Sequence, residues 1–278
     1  MKKAAVAVAL MTLSACGGGG GGGTPTGPTK TPGNVVVGPS TAGMIKIGDE
    51  QTYTATVNWS DGSQTTETAT WTSDNSSVAT IDGTGKAHGV GSGEASLVGS
   101  TSHGTGVLKI RVVPNYQGTW TGDYTIRGCS ATGAYDPREW CAGNDGFTTG
   151  TILPIVMAFT QNADKVTGTL TLGSVTTNVD ATTSIGIDGG LRLTSQGTFT
   201  GDDGSGNTIT VNPASFRANG PSMVGSFTWT WTSPGYSGSA VISSELNSVP
   251  RTASLMGVEA MPRHFSNTLD LMRATRKP

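Results

Sequence analysis

Three cysteines, three histidines and nineteen acidic side chains are the groups in this chain that could hold a metal, attack a substrate or exchange protons. Their spacing argues against most such chemistry. His88, His103 and His264 stand in a turn, a loop and the C-terminal segment, and none belongs to a His-Glu-x-x-His pattern or to a pair at ligand spacing. No Gly-x-Ser-x-Gly elbow occurs, and a serine triad drawn from distant residues leaves no local trace. Asp202-Asp203-Gly204-Ser205-Gly206-Asn207 offers oxygens to Ca²⁺ but lacks the spacing and distal glutamate of an EF-hand, and reads as a hairpin loop. Asp136, Glu139 and Asp145 surround the segment between Cys129 and Cys141. Two carboxylates there could hydrolyse a glycoside only at separations that folding must set; the other reading is solvated loop charge. The run Gly17 to Gly23 lacks the Gly-Lys-Ser/Thr ending, preceding strand and following helix of a phosphate-binding loop. No metal site and no cofactor is therefore expected.

The third cysteine lies near the start. Lys2 and Lys3 precede an apolar run from Ala4 to Leu13, and Leu13-Ser14-Ala15 leads into Cys16. A charged start, a short apolar core and small residues at the end form a secretory signal too short to span a membrane. The Leu-Ser-Ala-Cys ending resembles the lipobox of bacterial lipoproteins. That resemblance implies that Cys16 is acylated, becomes the mature N-terminus and holds the protein on the membrane of the cell envelope. Gly17 in place of Asp after the cysteine resembles the outer-membrane sorting pattern of Gram-negative lipoproteins. With Cys16 so used, Cys129 and Cys141 are left as a disulfide pair in an oxidising compartment. Metal ligation is the alternative, but no further cysteine or paired histidine supports it. A bridge closing so short a loop contributes roughly 3 kcal/mol by the loop-entropy argument.

The elements that must position these groups follow from composition. Only 13% of residues are charged, and Gly, Ser and Thr dominate the polar positions. Long helices draw on Glu, Lys, Ala and Leu, whereas this mixture suits strands joined by tight turns. A net charge of −2 gives no reason to expect nucleic acid as a partner. Residues 1–16 read as signal and lipobox, 17–33 as a Gly/Thr/Pro tether, 34–113 and 114–250 as two β-domains, and 251–278 as a mobile basic tail.

Between Asn34 and Val113, short alternating runs recur between turn residues. Tyr53, Val57 and Trp59 share one strand, and Ser60-Asp61-Gly62-Ser63 is a hairpin signal. Further runs span 69–72, 78–81, 86–90, 95–98 and 107–112, giving about seven strands and a β-sandwich. Ile47-Gly48-Asp49, Tyr53-Thr54-Ala55-Thr56, the segment Trp71 to Asp82 (WTSDNSSVATID) and the segment Gly85 to Ala95 (GKAHGVGSGEA) are together similar to a group 2 bacterial immunoglobulin-like domain. The resemblance implies core positions at Trp71, Val78 and Ile81. Members of that family serve in adhesins, in accessory regions of enzymes and as spacers, so it implies a fold and no particular ligand.

From Pro114 the alternation lengthens. Trp120, Gly122, Tyr124 and Ile126 share a face, as do Leu153, Ile155, Met157 and Phe159, then Val166, Gly168, Leu170 and Leu172, then Phe227, Trp229 and Trp231. Threonines fill the alternate positions. With further strands near 175–185, 190–200, 207–218 and 236–245, about eight sequential hairpins predict an antiparallel up-and-down barrel. Gly118-Thr119-Trp120-Thr121-Gly122, Phe159-Thr160-Gln161-Asn162 and Val166-Thr167-Gly168-Thr169-Leu170 resemble the lipocalin-like barrels of bacterial envelope lipoproteins.

Six aromatics (Trp120, Tyr124, Phe159, Phe227, Trp229 and Trp231) point into such a barrel and fill it; an open interior lined by Trp120 and Trp229 would instead hold a small apolar ligand. Tyr135 and Trp140, pinned by the disulfide at one end, either stack on a sugar ring or partner surface or pack over the barrel mouth. The all-β chain is thus expected to be a non-catalytic envelope lipoprotein whose partners are the membrane and a carbohydrate or surface protein. A carrier of an apolar ligand is the alternative, and a polysaccharide-acting enzyme a more distant one.

Overall fold

The computed structural model describes residues 29–142, 147–173, 175–180, 182–200 and 206–252. The signal segment with Cys16, the glycine run, Asp145, Asp202 to Ser205, and the C-terminal segment with His264 lie outside the described residues.

The first module contains β1 (Pro32–Gly38), β2 (Met44–Lys46), β3 (Glu50–Thr52), β4 (Thr54–Trp59), β5 (Gln64–Glu67), β6 (Thr70–Ser73), β7 (Ala79–Ile81), β8 (Lys86–Gly89), β9 (Gly93–Thr101) and β10 (Gly104–Val113). They form sheets ordered β1-β4-β5, β2-β10-β9-β6 and β3-β8-β7. Val37, Ile45, Val78, Leu97, Ile110 and Val112 fill the space between them, and Trp71 is packed against two of the apolar clusters. Asp61 and Gly62 make the expected turn: Gly62 takes φ +83°, and the Asp61 carboxylate accepts from the Ser63 amide at 2.9 Å. The sheet begins earlier than the alternation suggested, because Pro32 already pairs with Trp59. Pro32 and Gly33, read as tether, belong to β1.

The chain enters this module beside Trp59, where the Lys30 ammonium lies 4.6 Å from the indole centre. His103, just before β10, meets the same ring edge-on and contacts Glu67 at 2.9 Å. β10 then runs the length of the module and leaves at Val113. Entry and exit are at opposite ends.

The second module contains β11 (Gly118–Ala131), α1 (Pro137–Trp140), β12 (Ile152–Asn162), β13 (Lys165–Leu172), β14 (Val175–Val179), β15 (Ser184–Ile185), β16 (Leu191–Thr200), β17 (Gly206–Asn219), β18 (Ser222–Thr232), β19 (Ala240–Leu246) and β20 (Val249–Thr252). Eight of these form a closed antiparallel ring, β11-β12-β13-β14-β16-β17-β18-β19, in which β19 pairs back to β11. Stepping across strand pairs from Thr119 passes Ala158, Thr169, Asn178, Gln196, Thr210, Thr230 and Val241, and returns to β11 at Ser130. That offset is the stagger a tilted barrel requires. Threonine is the commonest of its outer residues; it is β-branched and suits a wet pleated face. Gly168 and Gly225 sit at φ +147° and +151°, and a Cβ at either would meet a facing carbonyl at 1.9 and 2.1 Å. Glycine there lets neighbouring strands close up.

Two expectations change. The strand expected near 175–185 is divided into β14 and β15, with the Asp180 carboxylate accepting from the Thr182 amide between them. The residues 251 and 252, read as the start of a loose tail, end β20, which pairs with β11 and β18. Arg251 lies over the Trp120 ring at 4.5 Å and donates to the Asn115 carbonyl.

The connection between the modules is fixed to the barrel floor. The Gln161 carboxamide, 7% exposed, accepts from the Tyr116 amide at 2.7 Å and donates to the carbonyls of Pro114 (3.1 Å) and Ala163 (2.9 Å). The Tyr116 hydroxyl donates to the Gly189 carbonyl at 2.8 Å and accepts from the Ala218 amide at 3.2 Å. From the first module, Arg111 donates to the Ile185 carbonyl at 2.9 Å.

Candidate functional site

The disulfide between Cys129 and Cys141 is present, with Cα atoms 5.4 Å apart. It ties the segment after β11 back to that strand and directs α1 across the barrel mouth. Asp136 caps the helix, accepting from the Arg138 amide at 2.8 Å. Trp140 enters the barrel from the last position of α1. Its ring centre lies 5.1 Å from Tyr135, 6.1 Å from Phe147 and 5.3 Å from Trp231. Phe147 continues to Trp229 at 4.8 Å, and deeper in the barrel Tyr124 meets Phe227 at 5.1 Å. Most of these pairs are edge-to-face, the arrangement ring quadrupoles favour.

This geometry corrects the ligand-binding expectation for Tyr135, Trp140, Trp120 and Trp229. All four are at most 2% exposed and belong to one packed cluster. A ring enclosed by other rings has no face left for a sugar. The loop turns inward because the disulfide and the helix cap together leave Trp140 above an apolar barrel end, where burying an indole is strongly favourable. The phenol oxygens of Tyr124 and Tyr135 make no hydrogen bond within the described residues, and burial raises the Tyr124 pKa well above its ordinary value.

Of the carboxylates around this loop, the structure describes the side chain of Asp136 alone. Asp136 is used in the cap, and Asp145 lies outside the described residues. Among the described residues, no three His, Cys, Asp or Glu side chains gather as a metal site.

A different site forms on the outer wall, and sequence reasoning missed it. β11 carries a bulge between Ile126 and Gly128, and β17 carries one between Val211 and Ala214. A bulge inserts an unpaired residue and bends its strand. Arg127 is the extra residue of the first, with an exposed side chain; Pro213 lies within the second. β18 and β19 lie between them. The result is a groove of about 260 Å³ lined by Arg127, Pro213, Ser226, Phe227, Thr228, Ser243, Ser244 and Glu245. Cross-strand pairing sets Ser226 opposite Glu245, Phe227 opposite Ser244 and Thr228 opposite Ser243. Arg127 Nε donates to Glu245 Oε2 at 2.7 Å. Ser244, 2% exposed, is held from beneath by the Trp229 indole N–H at 3.3 Å. Two signals could have marked the place: Asn212-Pro213 inside an otherwise regular strand, and the charged Arg127 and Glu245 in a wall otherwise rich in Thr and Ser.

Residues 35–112 match the bacterial Ig-like domain (group 2) family. They therefore form the domain that their sequence resembled. A stretch of 76 residues, 25% of the chain, is 45% identical to Ice-binding protein 1 of Shewanella frigidimarina (strain NCIMB 400); the match spans 8% of that protein's length. The solved structure of the S-layer protein SbsC, domains 5-6, aligns over 77% of this chain and 98% of its own, at 17% identity and a TM-score of 0.29. A TM-score of that size carries no assignment.

Proposed function

We propose that this protein is a non-catalytic binding protein of the cell envelope. Cys16 holds it on the membrane by a lipid, and it acts through the outer surface of its barrel, with the Ig-like domain as a spacer. The observation that carries this reading is the order of the parts. The chain enters the Ig-like domain beside Trp59 and leaves from the other end at Val113, and Tyr116 and Gln161 fix the connection to the barrel floor. A tether arriving at the first end sets the disulfide-closed mouth farthest from the membrane.

The packed interior favours contact on the outside over carriage within. An Ig-like domain is at home in surface and binding proteins, and Ice-binding protein 1 is by its name a binding protein. That name supplies no ligand here, since function lives in sites and the match spans 8% of that protein's length.

Labelling of the full chain with radioactive palmitate tests the anchor. Label is expected in the wild type and absent in Cys16→Ala. Label that persists in Cys16→Ala, or wild-type protein that never reaches the membrane fraction, contradicts the reading.

A further inference from the structure

We infer that the outer-wall groove between Arg127, Pro213 and Glu245 binds one ring of a neutral polysaccharide. This deepens the proposed binding function and rests on it for where the groove is displayed.

Size sets the first limit. The groove measures about 260 Å³, below the roughly 300–1,000 Å³ typical of sites that enclose drug-sized ligands. It therefore admits a single pyranose-sized ring, and being open to solvent it lets the rest of a polymer remain outside.

Chemistry sets the second. A sugar hydroxyl both donates and accepts, so a site for adjacent hydroxyls needs partners of both kinds. Ser226, Thr228 and Ser243 supply hydroxyls that do either, Glu245 supplies carboxylate oxygens that only accept, and Arg127 supplies a guanidinium that only donates. Pro213 adds carbon surface suited to the C–H face of a ring. Charge sets the third limit. Arg127 and Glu245 are 2.7 Å apart and offset one another, so the groove has no excess of either sign to hold a phosphate, a uronate or an ammonium.

The groove is also preformed. All the lining residues are on strands or their bulges, and the Trp229 N–H fixes Ser244 at the base. Sites carried on strands hold their geometry better than sites on loops.

Affinity electrophoresis of the full chain, in detergent, through gels containing dextran, mannan or mixed-linkage β-glucan tests the inference, with alginate as the anionic comparison. At least one neutral gel should retard the protein, and free glucose, mannose or galactose in large excess should relieve the retardation. Ser243→Phe, which fills the groove from an exposed position, should abolish it. Glu245→Ala should weaken it about tenfold or more, as loss of a charged hydrogen-bond partner does. Thr228→Val, a near-isosteric change, should weaken it while leaving the thermal midpoint unchanged, which separates binding from folding. Retardation that survives Ser243→Phe would overturn the groove and leave the binding function intact. No retardation in any neutral gel, stronger retardation in alginate, or retardation that no free sugar relieves would each overturn the inference. The palmitate result stands independently of all of these.

Discussion

The Trp140 indole packs edge-on against that of Trp231, ring centres 5.3 Å apart, so a residue from the disulfide loop closes the mouth of a barrel built by strands far along the chain. Replacing Trp140 by Ala should cost about 3–5 kcal/mol, as large-to-small changes at packed aromatic sites do. Urea unfolding followed by far-UV circular dichroism measures this. A change of a few tenths of a kcal/mol would mean that Trp140 is not part of the core.

The disulfide spans a sequence separation of 12. Changing both Cys129 and Cys141 to Ser should lower barrel stability by about 3 kcal/mol by the loop-entropy argument. Calorimetry of the oxidised and variant proteins checks it, and the Ig-like domain should melt unchanged in both.

Gln161→Ala removes the carboxamide that serves Tyr116, Pro114 and Ala163. Buried backbone groups left without partners cost about 1–3 kcal/mol. The loss should appear in the barrel transition, and hydrogen exchange at the Tyr116 amide should accelerate. An unchanged exchange rate would show that the connection is held by other contacts.

The Ig-like domain should lose stability at both pH extremes, for opposite reasons. Hydrogen bonds from Thr84 and Lys86 to Asp82, from Ser96 to Asp74 and from Ser63 to Asp61 hold these carboxyls below their ordinary 3.8. A depressed folded pKa stabilises above the unfolded value and is lost as pH falls through the folded one. Stability should therefore decline below about pH 4. Burial pushes the Tyr53 hydroxyl from 10.0 up to about 12. That contribution is complete below pH 10 and is lost as pH rises towards 12. Denaturant midpoints across pH measure both limbs, and Tyr53→Phe should flatten the alkaline one.

The barrel was readable because its signal is local. Period-two alternation at Trp120 to Ile126, Leu153 to Phe159 and Phe227 to Trp231 fixes which faces are buried, and short Asn/Asp/Gly connections force sequential hairpins. The Ig-like domain was readable from its ordered motifs. The groove was not, because it depends on which residues of β11 and β17 are left unpaired, and a register shift is a property of two strands together. Arg127 shows no sign of being an extra residue until Ile126 and Gly128 are seen paired with Ser244 and Ser243. Tyr135 and Trp140 were located correctly at the barrel end but given an outward option. Only the path imposed by the disulfide and the Asp136 cap decides that they point in.

The claim that this barrel is solid and works from its outer wall is tested most directly by uptake of an apolar fluorescent probe. Titration of the folded full chain with an anilinonaphthalene dye should give no saturable enhancement, because rings from Trp140 to Phe227 occupy the interior. Saturable one-to-one enhancement, displaced by an apolar competitor and changed by Trp229→Ala, would contradict the account and make the barrel a carrier.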